Sequence, residues 1–275
     1  MLRFLLPFSV ILTMSACQSG IKIEPVGVAP SLVKASEAVP LSEDRVTNES
    51  VLHLRDQMTQ NELAAKAFAL KLSSYQSRGN PLVDAGDERA RRLAQIFSKV
   101  KSRSHLADMP LVPVLIEKDI FQAYTLGGAE IIFYTGLTDR LSDDGLAIII
   151  GHEIAHISTS HALEAVSRDV VNLDHYHQND TRLSGFDAVE SEFEADMVGL
   201  LYAVLAGYDG SKAAEIWNSL SKVQNRPVYD LFTATHPPDE ARGMRLAKQA
   251  SSIAHLRGSA NWQNDLICNP LYCAR

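Results

Sequence analysis

The chain has 275 residues, 46% of them hydrophobic, and a formal net charge of -7. That length and apolar content suffice for one sizeable packed domain and exclude a chain disordered throughout. Net acidity without any long Lys or Arg run excludes a nucleic-acid surface, which needs a clustered basic face.

From the N-terminus, residues 1–16 read as a signal peptide: Arg3 supplies positive charge and an apolar run follows to Met14. That run is too short to span a bilayer as a helix. Ser15 and Ala16 stand directly before Cys17, a pattern that resembles the lipobox of bacterial lipoproteins. On that reading Cys17 is the lipidated first residue, and Gln18 after it is similar to the outer-membrane default of Gram-negative lipoproteins. The expected location is the bacterial outer membrane, lipid-anchored and facing the periplasm, with firm attachment because more than one acyl chain is carried. An ordinary secretory signal with a spare cysteine is the plainer alternative. Residues 17–50 hold Pro25, Pro30 and Pro40 without a sustained period and read as a flexible tether.

One domain is expected over residues 51–258. Leu52, Leu63, Ala67 and Leu70 recur at helical spacing and predict a helix over 51–75. A second helix is expected from 88 to about 104, with Leu93, Ile96, Phe97 and Val100 on one side. Its other side carries Arg89, Arg91, Arg92 and Lys99 and reads as a solvated face. Between Pro110 and Gly136, residues 111–116 and 131–134 are rich in β formers, and Gly127-Gly128 signals a turn. A small antiparallel sheet is expected there. Helical patterns return after Leu141, interrupted by a polar stretch at 172–184, for which folding over a cleft is a hypothesis that the sequence leaves open. The fold class is α+β. In the tail, 259–275, Cys268 and Cys273 are expected to form a disulfide, because an exported protein sits where disulfides persist. The loop so closed is short and would pin the tail only locally.

Ser142 is a good helix start, and an apolar run from Gly145 leads into His152-Glu153-Ile154-Ala155-His156. Four residues make about one helical turn, so His152 and His156 project from one face and can reach one small cation. Glu153 is placed to contact water rather than the ion, as a general base must be. The run before His152 implies burial, where an unpaired His and Glu would be costly. A catalytic zinc needs a third protein ligand and an open position. Glu192 and Asp196 lie one turn apart in a helical pattern over 188–205. One can bind metal while the other accepts the second N–H of a ligand histidine.

With these motifs the chain resembles the HtpX-like and CAAX-prenyl-protease-like zinc metallopeptidases of the gluzincins, in their periplasmic lipoprotein branch of the LoiP, YcaL and BepA type. The resemblance covers roughly residues 111–245. It implies a mostly helical gluzincin domain with a small sheet beside the HExxH helix, and one zinc ion per chain held by His152, His156 and Glu192. Asp196 would support a ligand histidine. The pair His236-Pro237 matches the family's His-Pro pair, where the histidine either assists the transition state or occupies the open position and blocks it. Read from the residues alone, His236 caps a helix entry. Gln122 stands where the family usually has Asn. His105, His161, His175, His177 and His255 read as structural or solvated.

The expected function is a zinc-dependent endopeptidase with Glu153 as base and His236 assisting. Its expected substrates are unfolded or misassembled envelope proteins, bound along an edge strand near 122–126, in envelope quality control. Alternatives are a zinc-containing chaperone-like or binding lipoprotein with little proteolysis, and a structural helical lipoprotein without metal. Partners are the substrates and, through the anchor, the membrane. No nucleic acid is expected, and protein partners beyond these are not legible.

Overall fold

A computed structural model describes residues 41–43, 46, 50–52, 57–161, 188–221, 236 and 240–264. Strands β1 (Leu41–Glu43) and β2 (Ser50–Leu52) pair antiparallel, with Leu41 opposite Leu52. β1 therefore lies inside the stretch expected as tether. β2 takes the start of the expected 51–75 helix, and helix α1 runs instead over Gln57–Ser77. Antiparallel pairing with the strand just before it competes with helix formation, and apolar spacing cannot register that competitor.

Helix α2 (Glu88–Lys101) begins at an Asp87 cap whose carboxylate accepts from the Arg89 N–H. It buries Leu93, Ile96, Phe97 and Val100, as its period requires. Its charged face is less solvated than expected. Arg92 pairs with Asp143 at 2.7 Å and donates to the carbonyls of Thr138 and Leu141, tying α2 to the chain entering the next long helix.

Three strands follow: β3 (Val112–Ile116), β4 (Ala123–Thr125) and β5 (Glu130–Tyr134). Their order is β3-β5-β4, with β4 antiparallel and β3 parallel to the central β5. The sheet is thus mixed rather than antiparallel. Gly127, at φ 77, makes the β4–β5 turn that the Gly pair announces. A parallel pair needs a long crossover, and residues 117–129, β4 included, supply it.

Leu115, Ala123, Ile131 and Phe133 point into the main core, where the Phe97 ring meets Phe133 edge-on at 6.4 Å. Ile116, Ile132 and Tyr134 face the other way and pack against Phe68, Leu72 and Tyr75 of α1. After a single turn, α3 (Thr135–Thr138), the long helices are α4 (Asp143–Ser158), α5 (Ala188–Leu205), α6 (Lys212–Ser221) and α7 (Glu240–Ile253). The protein is mostly helical with one small three-stranded sheet, the α+β class expected. No helix among the described residues is long and apolar enough to cross a membrane.

Candidate metal centre

The Ser142 hydroxyl accepts from the Gly145 N–H at 3.2 Å, and Asp143 and Asp144 in the first turn complement the helix dipole, so α4 starts where the sequence places it. Every residue of α4 from Gly145 to Ala155 is buried. Such a helix must sit at the centre of the fold, and α4 packs on α2, α5 and the sheet. Its crossing with α5 is set by two glycines. A Cβ built on Gly151 would lie 2.2 Å from the Gly199 carbonyl oxygen, and one on Gly199 would lie 2.4 Å from the His152 nitrogen. The two backbones meet one residue before His152. That contact brings the start of α5, and Glu192 with it, over the histidine face of α4.

The donor atoms of His152, His156, Glu192 and His236 all lie within 4.8 Å of one another. His152 Nε2 stands 3.0 Å from His156 Nε2 and 3.1 Å from His236 Nδ1. Glu192 places Oε1 3.3 Å from His156 Nε2, and Oε2 3.4 Å from His152 Nε2 and 2.9 Å from His236 Nδ1. Ligands held ~2.0–2.1 Å from one tetrahedral ion are roughly 3.3–3.4 Å apart, so the cage has the size of such an ion's shell, slightly contracted. Three imidazoles and a carboxylate are also the donor types that zinc takes. His152, His156 and Glu192 are the expected ligands, and His236 stands at the corner a three-ligand site would leave open. Glu153 is 1% exposed, and its Oε1, 3.5 Å from His236 Nε2, makes no hydrogen bond to the described residues. A buried carboxylate oxygen so placed beside the cage is available to act on water.

Behind His152, Asp196 brings Oδ1 to 3.1 Å from Nδ1, on the side expected for a supporting carboxylate. Arg242 of α7 grips Asp196 through two bonds of 2.7 Å, and one of its nitrogens is also 3.3 Å from Glu192. Its guanidinium stacks 3.8 Å over the ring of Trp217 from α6. Behind His156, Nδ1 lies 2.9 Å from His161 Nδ1, and His161 Nε2 lies 3.0 Å from Glu194. His161, expected as structural or solvated, is buried and in contact with His156 and Glu194.

Charge follows geometry. Burial alone would lower the His152 pKa, but Asp196 and Glu192 outweigh it and raise it to about 10. Burial lowers His156 to about 4, leaving a neutral imidazole at neutral pH. Burial works against the Glu192 carboxylate, yet His236 and His156 hold it well below its usual range. Asp196 is likewise disfavoured by burial and held low by His152 and Arg242. Glu192 and Asp196 are thus both held in the ionised form beside the imidazoles, a charge pattern that suits a cation.

Six site residues expected from the sequence thus come together: His152, Glu153, His156, Glu192, Asp196 and His236. Cys17, Cys268, Cys273 and the 172–184 stretch with His175 and His177 lie outside the described residues. Arg242, Trp217, His161 and Glu194 were not expected here. Arg242 and Trp217 carry no signal by spacing, since only tertiary packing brings α6 and α7 to the cage. His161, five residues after His156, would leave a continuing helix on a different face. A left-handed Ser160, at φ 58, turns it back.

Residues 87–180 match the family model of Peptidase family M48, a span that contains HExxH and ends before Glu192 and His236. The chain is also similar to proteins named mitochondrial metalloendopeptidase OMA1. That of Arabidopsis thaliana is 28% identical, over 53% of this chain and 33% of the relative. That of Schizosaccharomyces pombe is 24% identical over 75% and 64%, and that of Saccharomyces cerevisiae 29% identical over 44% and 41%. The chain covers less than two thirds of each relative's length. The match supports the metallopeptidase resemblance at the level of the M48 family, and the relatives are not specifically of the lipoprotein branch. They also correct the expected placement of a lipid-anchored protein at the periplasmic face of a bacterial outer membrane, since all three are named as mitochondrial. The N-terminal pattern reads charge, apolar length and small residues, and these do not specify one membrane.

Proposed function

We propose that this chain is a zinc-dependent endopeptidase that hydrolyses peptide bonds in unfolded or misassembled proteins. The observation that carries the reading is the four-residue donor cage with Glu153 buried at its rim. The similarity to Peptidase family M48 and to three metalloendopeptidases supports the same reaction class. His152, His156 and Glu192 would hold one zinc ion; His156 is neutral and Glu192 ionised, as ligands must be, whereas the ion would have to displace a proton from His152. Zinc, when bound, acidifies water and polarises a carbonyl oxygen.

The residues around it divide the remaining work. Glu153 takes the proton of the attacking water and returns it to the leaving amine. Asp196, clamped by Arg242, orients His152. His236 stands where the scissile carbonyl must come, so it shifts to admit substrate and then faces the developing oxyanion. The substrate lies along β4. The Tyr134 N–H donates to the Gln122 carbonyl, so Gln122 and Tyr124 spend their backbone groups on β5, while Ala123 and Thr125 direct theirs outward. An extended peptide adding to this edge is read through its backbone, which gives broad specificity for unfolded chains.

One observation favours a second reading. His236 completes the donor set, and a protein keeping it there would be a zinc-containing binding or chaperone-like module with little proteolysis. Cleavage of unfolded casein by the zinc-loaded protein separates the two. We expect cleavage that a chelator and Glu153→Gln both abolish. Stoichiometric zinc without cleavage would sink the peptidase reading, and cleavage by Glu153→Gln at the wild-type rate would sink the role of Glu153.

A further inference from the structure

We infer that His161 and Glu194 are positioning residues: the relay Glu194–His161–His156 fixes His156 in the tautomer that presents Nε2 to the ion. The inference rests on the metal centre proposed above and deepens it.

A neutral imidazole carries one N–H donor and one lone-pair acceptor, and a carboxylate only accepts. At 3.0 Å from Glu194, His161 Nε2 must carry the proton and donate it. His161 Nδ1 is then the acceptor, and the His156 Nδ1–H, 2.9 Å away, donates to it. With its proton on Nδ1, His156 has its lone pair on Nε2, the atom that faces Glu192 at 3.3 Å and His152 at 3.0 Å within the cage. With one proton per ring, no other arrangement satisfies both contacts. The opposite tautomer of His156 would set two lone pairs against each other at Nδ1 and point an N–H at the ion.

The backbone is shaped for this contact. Ser158 and Thr159 both donate their hydroxyls to the Ala155 carbonyl and hold the end of α4. Ser160 then adopts φ 58, a left-handed conformation uncommon for a residue with a Cβ. That reversal folds the next side chain back along the helix, and the His161 side chain ends only 7% exposed between His156 and α5. Glu194 reaches it from α5, two residues after Glu192. The same two helices that carry His156 and Glu192 therefore also carry the relay. His152 has its own carboxylate, Asp196, so each histidine of the HExxH pair ends on an acid that sets its ring.

The test uses the full chain, with zinc affinity measured by chelator competition and 15N-histidine spectra of the zinc-loaded protein. His161→Phe removes the acceptor, and Glu194→Leu removes the far end of the relay. Both are expected to weaken zinc by about 10–100-fold, the usual effect of losing such a partner. His161→Asn, which keeps an acceptor near the Nδ1 position, and Glu194→Gln, which keeps an oxygen, are expected to restore most of that loss. The wild-type spectrum is expected to show His156 protonated at Nδ1. Wild-type zinc affinity in His161→Phe, an equal loss in His161→Phe and His161→Asn, or a His156 proton on Nε2 would each overturn the relay and leave the metal centre standing. A wild type that binds no zinc would overturn the centre itself, and the relay with it.

Discussion

Glu153 follows His152 directly on α4, so its side chain leaves the helix about 100° around from the ligand face. It can stand beside the cage without joining it. Glu153→Gln keeps the shape and removes the proposed base, so zinc content should match wild type while turnover falls by about 10²–10⁴-fold. Metal analysis and a peptide-cleavage rate on the same preparation check both halves. Arg242 presents a different case. It is 3% exposed and bonded twice to a buried carboxylate. Arg242→Met would leave Asp196 charged and unpaired by its cation, and breaking a buried pair from one side costs about 3–5 kcal/mol. Denaturant unfolding of the metal-free variant measures this, and a loss under about 1 kcal/mol would mean that water or another cation replaces Arg242. The two residues also differ in how they can be read. HExxH is local, with its chemistry written in a five-residue spacing, whereas Arg242 means nothing until α7 is folded against α5.

At the scale of elements, the site depends on how closely α4 and α5 approach. The Gly151–Gly199 contact lets two backbones pass where no side chain fits, and Glu192 reaches the histidines from two turns before it. Gly199→Ala sets a methyl against the backbone of His152, a rigid neighbour that cannot step aside. Overpacking of this kind costs about 1–3 kcal/mol, and here it should also weaken zinc, because the shift falls on Glu192 relative to His152. A variant with lower thermal stability but unchanged zinc affinity would show that the crossing does not set the cage. In the sheet, Gly127-Gly128 made the β4–β5 hairpin legible. The direction of β3 was not legible, since a strand's own residues do not record which neighbour it joins. α2 was read correctly from its period, yet the docking of Arg92 on the α4 entrance was not, because a long cation on a polar face looks the same whether solvated or paired.

For the whole molecule, the proposed metal and the proton would compete for one buried cluster. In the metal-free protein, Asp196 and Glu192 lie below their ordinary values, so the stability they contribute is lost as pH falls through the carboxylate range. His156 is lowered to about 4, so below its ordinary 6.5 the unfolded chain takes up a proton that the folded chain refuses, and stability again falls with pH. His152 has the opposite sign. Raised to about 10, it contributes fully below 6.5 and loses that contribution as pH rises toward 10. Stability of the metal-free protein should therefore peak near pH 6.5, which denaturation midpoints taken from pH 4 to 10 in chelator would check. A monotonic profile would contradict it. Adding zinc at neutral pH should raise the melting temperature and release protons, because the ion binds only deprotonated ligands. The sequence by itself determined the HExxH helix, the Glu192 and Asp196 pair, and the α+β class, because each is carried by short-range spacing or by apolar period. Only the tertiary structure decided that His236 closes the cage, that Arg242 and Trp217 stand behind Asp196, and that His161 and Glu194 stand behind His156. Those contacts join elements far apart in the chain or depend on a single left-handed residue, and neither property leaves a repeat or a spacing for a linear reading to find.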